Sequence, residues 1–382
     1  MYPRISDLIN DLFGTQLRLP VQSFGFMMAL AFLCAYIVLY YELKRKEGLG
    51  IFPAKSALVK RGNPVKPTDI LISFLLYGLV GYKLGLMAED YDLFYDNPQQ
   101  AILSTKGSWL WALIAGVVAG GWRLAEYLMH RNKPVTEVSE DQGITSELGT
   151  VLLIAFGAGL LGAKLFHNFE NWSDFIKDPV ASLLSFDGLS YYGGLICAGV
   201  LIGWYVYKKG YSVMGFADAI APTLLLSYGI GRIGCQIAGD GDWGIDNTAP
   251  KPAWLSWAPD WVWSFDYPHN VINSGIPIEG CTGDFCNHLA VPVYPTPFYE
   301  VLMALALFGV LWAVRKRLPY LGQMSGLYLM FNGAERFLIE KIRINPPQIA
   351  GFSLTQAEII SSLLFIFGAV LFVISVRRGR KK

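Results

Sequence analysis

Charge is scarce in this sequence. Asp, Glu, Lys and Arg make up 16% of its 382 residues, where soluble domains carry about a quarter. With 53% hydrophobic residues, that shortage excludes an ordinary soluble enzyme and points to an integral membrane protein. Cysteine is sparse as well, and the five present form no CxxC pattern, so no zinc or redox motif is expected. Cys281 and Cys286 share one polar loop and could pair if that loop lies outside the cytoplasm. The start, MYPRISDLINDLFG, lacks a basic region followed by an apolar core and a cleavage site, so no removable signal is expected. The basic residues are scattered among loops, and the net charge of +1 gives no footprint for nucleic acid.

What the chain has instead is long apolar runs. A helix crossing a bilayer needs about 20 mostly apolar residues. Nine segments qualify: residues 22–42, 69–88, 108–129, 148–167, 189–207, 217–237, 297–314, 321–340 and 355–376. The expected fold is an all-α, polytopic membrane bundle of about nine helices, one domain over residues 1–382. Most Lys and Arg then fall on one side of the bilayer, including Lys44, Arg45, Lys46, Arg131, Lys133, Lys208, Lys209, Arg315, Lys316, Arg317 and the RRGRKK tail. Basic loops stay cytoplasmic, so the N-terminus is expected outside and the C-terminus inside. Residues 239–293 become a long extracytoplasmic loop.

Residues 69–146 read as an extra helical hairpin and a degenerate repeat of 150–227. At an offset of 81 residues, GYKL (Gly81–Leu84) aligns with GAKL (Gly162–Leu165), Asn97-Pro98 with Asp178-Pro179, and Gly107 with Gly188. The second copy has SYYGGL where the first has SWLWAL.

The ionisable residues of the spans gather at one depth, the outer leaflet: Lys164, Arg232, Glu300, Arg336 and Glu340, with Tyr191, Tyr192 and Tyr299 at span ends. Such residues are costly in lipid and face the protein interior. Lys83 is expected to snorkel to the headgroups. Arg336 and Glu340 also suit a structural pair one helical turn apart. Arg232, in GIGRIGCQIAGDGDWG, has a guanidinium fit to hold a phosphate. The glycines around it, Gly229, Gly231 and Gly234, are expected to let a headgroup approach. Trp254, Trp257, Trp261 and Trp263 in the outer loop suit a headgroup-level surface or the lining of a substrate path. His269 is the loop's one histidine and a candidate base.

These blocks resemble the prolipoprotein diacylglyceryl transferase family. GRIGCQIAGDGDWG is similar to its signature; GAKLFHNFENW, SYYGGL, YPTPFYE and ERFLIEKIR resemble its other blocks, in the family's order, and PVQSFGFMMALAF its first span. The resemblance covers residues 20–45 and 147–376. It implies transfer of diacylglyceryl from phosphatidylglycerol to the lipobox cysteine of a prolipoprotein, releasing glycerol phosphate, in the bacterial plasma membrane with no cofactor or metal. It matches Arg232 to the lipid-binding arginine, Gly244 to the close of the same motif, Arg336 and Glu340 to a polar pair, and Glu300 to the acid of the Tyr299-Glu300 block. Gly193, Gly194, Gly231 and Gly234 are supporting positions. The chain departs from the pattern at Tyr192, where some members have histidine, at Cys235 in place of a frequent asparagine, at Tyr294, and in the longer GDGDWG segment. Residues 46–146 are extra to the core.

The reaction needs stabilisation of a departing phosphate and removal of a thiol proton. Arg232, Arg336 and Lys164 supply the positive charge. The base is open among Asp240, Asp242, Glu300 and His269, with Tyr192 better suited to donate a hydrogen bond. A transporter, or a phospholipid-binding relative without catalysis, would share the spans and the buried charges.

Overall fold

The computed structural model describes residues 1–61, 65–96, 98–130, 136–184, 190–344 and 354–380. It is mostly helical. In chain order the helices are α1 (Ile5–Phe13), α2 (Ser23–Gly48), α3 (Pro67–Glu89), α4 (Tyr91–Asp96), α5 (Pro98–Leu103), α6 (Trp109–His130), α7 (Leu148–Glu170), α8 (Trp172–Phe175), α9 (Pro179–Leu184), α10 (Tyr191–Lys208), α11 (Val213–Ala238), α12 (Thr296–Val314), α13 (Gln323–Glu340) and α14 (Gln356–Gly379).

Local chemistry sets their ends. Pro67 opens α3, and Asp69 accepts from the Lys66 N–H at 2.9 Å. Ser212 Oγ caps α11 through Gly215 N at 3.0 Å, and Gly239 closes that helix at φ 65°. Thr355 and Glu358 form a reciprocal capping box for α14.

Seven helices are long and apolar enough to cross a membrane: α2, α3, α6, α7, α11, α12 and α14. The nine expected spans each coincide with a helix, but α10 and α13 fall short of that measure. In α13 the reason is chemical, because its last three turns carry Asn332, Glu335, Arg336 and Glu340.

The helices pack in pairs: α11 against α2 and α12, α13 against α14, α7 against α10, and α3 against α6. Small residues permit close approach where lipid supplies no hydrophobic drive. A methyl group added at Gly326 of α13 would stand 2.8 Å from the Gly368 carbonyl of α14. A core of Leu39, Leu43, Phe52, Leu148, Val206 and Phe216 joins α2, α7, α10 and α11.

The hairpin α3–α6 is inserted between α2 and α7, and two short strands close its stem. β1 (Lys55–Arg61) pairs antiparallel with β2 (Thr136–Gln142), Lys55 facing Gln142. Its parts mirror α7–α10: α3 and α7, α4 and α8, and α5 and α9 each begin 81 residues apart. Ser108 N donates to Tyr82 O and Ser190 N to Ala163 O, both at 3.0 Å. Lys83 does not snorkel. Its ammonium donates to Ala101 O in the last turn of α5 at 3.0 Å and to Lys106 O beyond it at 2.9 Å.

The long loop folds over α11 and α12. Strands β3 (Ile276–Pro277) and β4 (Asn287–His288) pair, Trp243, Tyr267, Leu289 and Val293 form a small core, and Cys281 and Cys286 are joined in a disulfide. Arg4 bridges three parts, pairing with Asp284 at 2.7 Å while its guanidinium stacks 3.9 Å from the Tyr95 ring of α4.

Candidate active site

The site is assembled by the turn after α11. Gly239 redirects the chain, and Asp242 O accepts from Thr296 Oγ1 at 2.8 Å, fixing the loop to the start of α12. Gly244 N donates to Tyr294 O and Ile245 N to Ile342 O, both at 2.9 Å. A Cβ at Gly244 would collide with Ile342 O and stand 2.9 Å from Thr296 Cγ2, so only glycine lets this ladder close. Asp242, Glu300 and Arg343 are thereby brought together from three separate segments.

Glu300 is the hub and has no solvent exposure. Arg232 Nε lies 2.8 Å from its Oε2; Arg343 NH1 and Arg336 NH1 lie 3.3 Å and 3.8 Å from its Oε1. Asp242 bridges two of the same guanidinium groups, pairing with Arg232 and, at 2.9 Å, with Arg343 NH2. Arg336 also pairs with Glu340 at 2.8 Å. Each guanidinium has five N–H donors, more than these contacts use. Burial pushes the Asp242 carboxyl up, but the charges of Arg232 and Arg343 outweigh it and hold the group below its ordinary range. Asp240 goes the other way: burial, reinforced by the Asp242 charge, raises it.

A cavity of about 400 Å³ opens beside the cluster. Arg232, Arg336, Arg343 and Asp242 line it together with the apolar Leu195, Ile360 and Leu364. Glu335 also lines it, 3% exposed, and its Oε1 has no hydrogen-bond partner among the described residues. The space suits an amphipathic anion.

Of the residues singled out from sequence, the structure gathers Arg232, Asp242, Glu300, Arg336 and Glu340 in one network. Asp240 stands next to it, accepting from Asp242 N at 3.3 Å. Cys235 Sγ lies 3.7 Å from Arg232 NH1. The nearby donors Cys235, Asp240 and Asp242 could face a metal ion, but Asp242 already spends both oxygens on guanidinium groups. Lys164 is buried in α7 and is not among the residues lining the arginine cavity. His269 Nδ1 lies 2.8 Å from Phe285 O beside the disulfide, and among the described residues it shares no hydrogen bond with the cluster. The side chains of Tyr191 and Tyr192 lie outside the described residues.

The glycines of GRIG do not open a path for a headgroup. Gly231 and Gly234 pack against Met28, Met27 and Phe24 of α2, and Gly229 against Ala304 and Leu305 of α12. Gly193 and Gly194 do the same between α10 and α7, where a Cβ on Gly194 would stand 2.9 Å from Gly159 O. Tyr299 donates to Val262 O at 2.7 Å and holds the tryptophan loop.

Two residues that line the cavity, Glu335 and Arg343, were not singled out from sequence. Both lie in ERFLIEKIR. Arg336 and Glu340 lie one turn apart on α13, whereas Arg343 follows the helix and is placed by its bridge to Gly244.

Comparison with known proteins gives the family of the chain. The family described as prolipoprotein diacylglyceryl transferase matches residues 108–374. The chain belongs to this family. Curated relatives named phosphatidylglycerol–prolipoprotein diacylglyceryl transferase include one from Vibrio vulnificus (strain CMCP6), 29% identical over 266 residues, covering 68% of this chain and 85% of its own length. One from Vibrio atlanticus is 30% identical over 249 residues, covering 63% and 80%. One from Streptococcus agalactiae serotype Ia is 26% identical over 261 residues, covering 67% and 88%. The family match begins at Ser108, so it takes in α6, which the sequence blocks leave outside.

Proposed function

We propose that the chain transfers diacylglyceryl from phosphatidylglycerol to the lipobox cysteine of prolipoproteins, the first step of bacterial lipoprotein maturation. The observation that carries this reading is the convergence of Arg232, Arg336 and Arg343 on buried Glu300 beside a cavity that apolar residues also line. The guanidinium groups hold the lipid phosphate, and the acyl chains run toward Leu195, Ile360 and Leu364. The cysteine sulfur attacks the glycerol carbon bearing the phosphate ester. A C–S bond forms, the C–O bond breaks, and glycerol phosphate leaves with the electron pair, its growing charge met by the fixed cations. No acyl carbonyl is attacked.

The thiol proton goes to a carboxylate. Glu335, in the cavity wall with a free oxygen, is placed for it, with Asp240 the alternative next to Cys235. Asp242 and Glu300 act as anchors that position the arginines.

The membrane placement follows the same logic. Nine helices cross the bilayer in the inner membrane, N-terminus outside and C-terminus inside. This is supported by Arg45, Lys46, Lys208, Arg377 and Arg378 at the last turns of α2, α10 and α14. The site then lies at the outer leaflet, where the lipobox cysteine emerges; a transporter would place such charges near mid-membrane. The hairpin α3–α6 is a degenerate copy of α7–α10, supported by their shared order and paired hydrogen bonds.

The test uses purified protein in phosphatidylglycerol liposomes with a lipobox-cysteine peptide, followed by mass spectrometry. Addition of a diacylglyceryl group by the parent, lost in Arg232→Ala, is the expected result. An unmodified peptide with intact, lipid-bound parent would overturn the reading.

A further inference from the structure

The end of the bundle remote from the arginine cluster carries a second charged cavity. Gly215 near it and Arg232 lie on one helix, α11, which at 1.5 Å per residue separates the two sites by about 25 Å. The cavity, about 350 Å³, is lined by Glu42, Arg45 and Lys46 of α2, Asp218 of α11, and Arg315 and Lys316 after α12. Its rim continues into Leu318, Pro319 and Leu321.

Both acids are already committed. Glu42, 2% exposed, takes Arg45 Nε at 2.9 Å and Arg315 Nε at 3.3 Å. Asp218 caps α13, accepting from Gly322 N at 2.7 Å, Ser325 N at 2.8 Å and Ser325 Oγ at 2.7 Å. The charges of Asp218 and Glu42 also act on Lys46, yet the lining sets Arg45, Lys46, Arg315 and Lys316 against only these two carboxylates. Lys46 is 5% exposed, and among the described residues its one hydrogen bond is a long one to Gly215 O at 3.3 Å. Lys316 pairs with no carboxylate among the described residues. The lining keeps an excess of positive charge over its two carboxylates, and a basic pocket between membrane helices is a site for an anionic headgroup.

We propose that this cavity binds a phosphate group, either the headgroup of an anionic lipid in the leaflet facing it or free phosphate. Lys46 and Lys316 supply the charge, and the apolar rim at Leu318 and Leu321 leads acyl chains into the bilayer. Bound there, the phosphate ties α2, α11 and the α12–α13 turn together. The inference rests on the bilayer reading of the helices and not on the transfer reaction.

The experiment puts the full chain in nanodiscs with a photoreactive lipid carrying its diazirine next to the headgroup, in phosphatidylglycerol or phosphatidylcholine form. Labelled peptides are mapped by mass spectrometry, so the two ends of the bundle are read separately. The anionic probe is expected to label residues 42–51 and 315–321, and the zwitterionic probe is not. Lys46→Met should abolish that labelling and Lys316→Ser reduce it severalfold, with labelling at residues 228–242 kept. Lys316 is exposed, so its variant carries the test if Lys46→Met does not fold. In detergent, retention of radiolabelled inorganic phosphate that Lys316→Ser loses, without lipid labelling at this end, would assign the site to free phosphate. Equal labelling by both lipids, or anionic labelling and phosphate retention both unchanged in the two variants, would overturn the proposal.

Discussion

Arg343 NH1 lies 3.3 Å from Oε1 of Glu300, a carboxylate with no solvent exposure, although 43 residues separate the two in sequence. The pair joins the turn after α13 to the start of α12, and Asp242 locks it from a third side. Its geometry predicts unequal effects of two mild substitutions. Glu300→Gln leaves three guanidinium groups facing a neutral amide, and breaking a buried pair costs about 3–5 kcal/mol. Thermal unfolding in detergent should show that loss together with inactivity. Arg343→Lys keeps the charge but cannot serve Glu300 and Asp242 at once. It should fold and lose about 10²–10³ in kcat. A Lys variant with parental kcat would remove Arg343 from the phosphate site.

The base is tested by Glu335→Gln and Asp240→Asn assayed side by side. General-base removal costs about 10²–10⁴ in rate. Glu335→Gln is expected to lose that much in kcat while still retaining phosphatidylglycerol. Asp240→Asn should lose less than tenfold. The reverse ranking would move the proton to Asp240.

The two loop acids should affect stability with opposite pH dependence. Asp240 has a raised pKa in the folded chain because of burial, so its neutral form is favoured by folding. It is least costly below the unfolded value of about 3.9, and the cost grows as pH rises through the folded pKa. Asp240→Asn should therefore raise Tm at pH 7, with the gain vanishing near pH 4. Asp242 is lowered, because Arg232 and Arg343 outweigh its burial. Its contribution is present above about pH 3.9 and fades as pH falls through its folded pKa. Asp242→Asn should lower Tm at pH 7 and approach the parent under acid. Parallel Tm–pH profiles for the two variants would contradict both assignments.

These contrasts also explain what could be read from the sequence. Apolar length alone marked every long helix, since the bilayer fixes the length a helix must reach. Arg232 and Glu300 stood out because charge is expensive in such runs. Arg343 did not, because it lies just beyond α13 where a loop cation needs no explanation. Glu335 was hidden beside Arg336, its significance lying in an unpaired oxygen that only packing reveals. Lys83 misled for a related reason: a lysine near a span end is usually at the headgroups, whereas here its ammonium donates to the backbone carbonyls of Ala101 and Lys106. The pairing of β1 with β2 was illegible, since Arg61 and its partner Thr136 stand 75 positions apart with the α3–α6 hairpin between them.

The tryptophan loop supports a last prediction. Trp261 packs edge-to-face on Phe298 with ring centroids 4.9 Å apart, and Tyr299 OH donates to Val262 O at 2.7 Å. The loop is thus clamped over α12, enclosing an apolar groove of about 760 Å³ that reaches from Leu302 to Tyr294 and Ile342. Leu302 is 54% exposed on a helix long and apolar enough to cross a membrane, so in the proposed placement the groove meets the lipid. It ends one residue from Arg343. An apolar segment arriving with the lipobox cysteine would be gripped there equally before and during reaction, which is uniform binding. Trp261→Ala should then raise KM for the lipobox peptide about tenfold with kcat nearly unchanged. An equal fall in kcat at constant KM would mean that the loop instead shapes the arginine cluster through Tyr294 and Gly244.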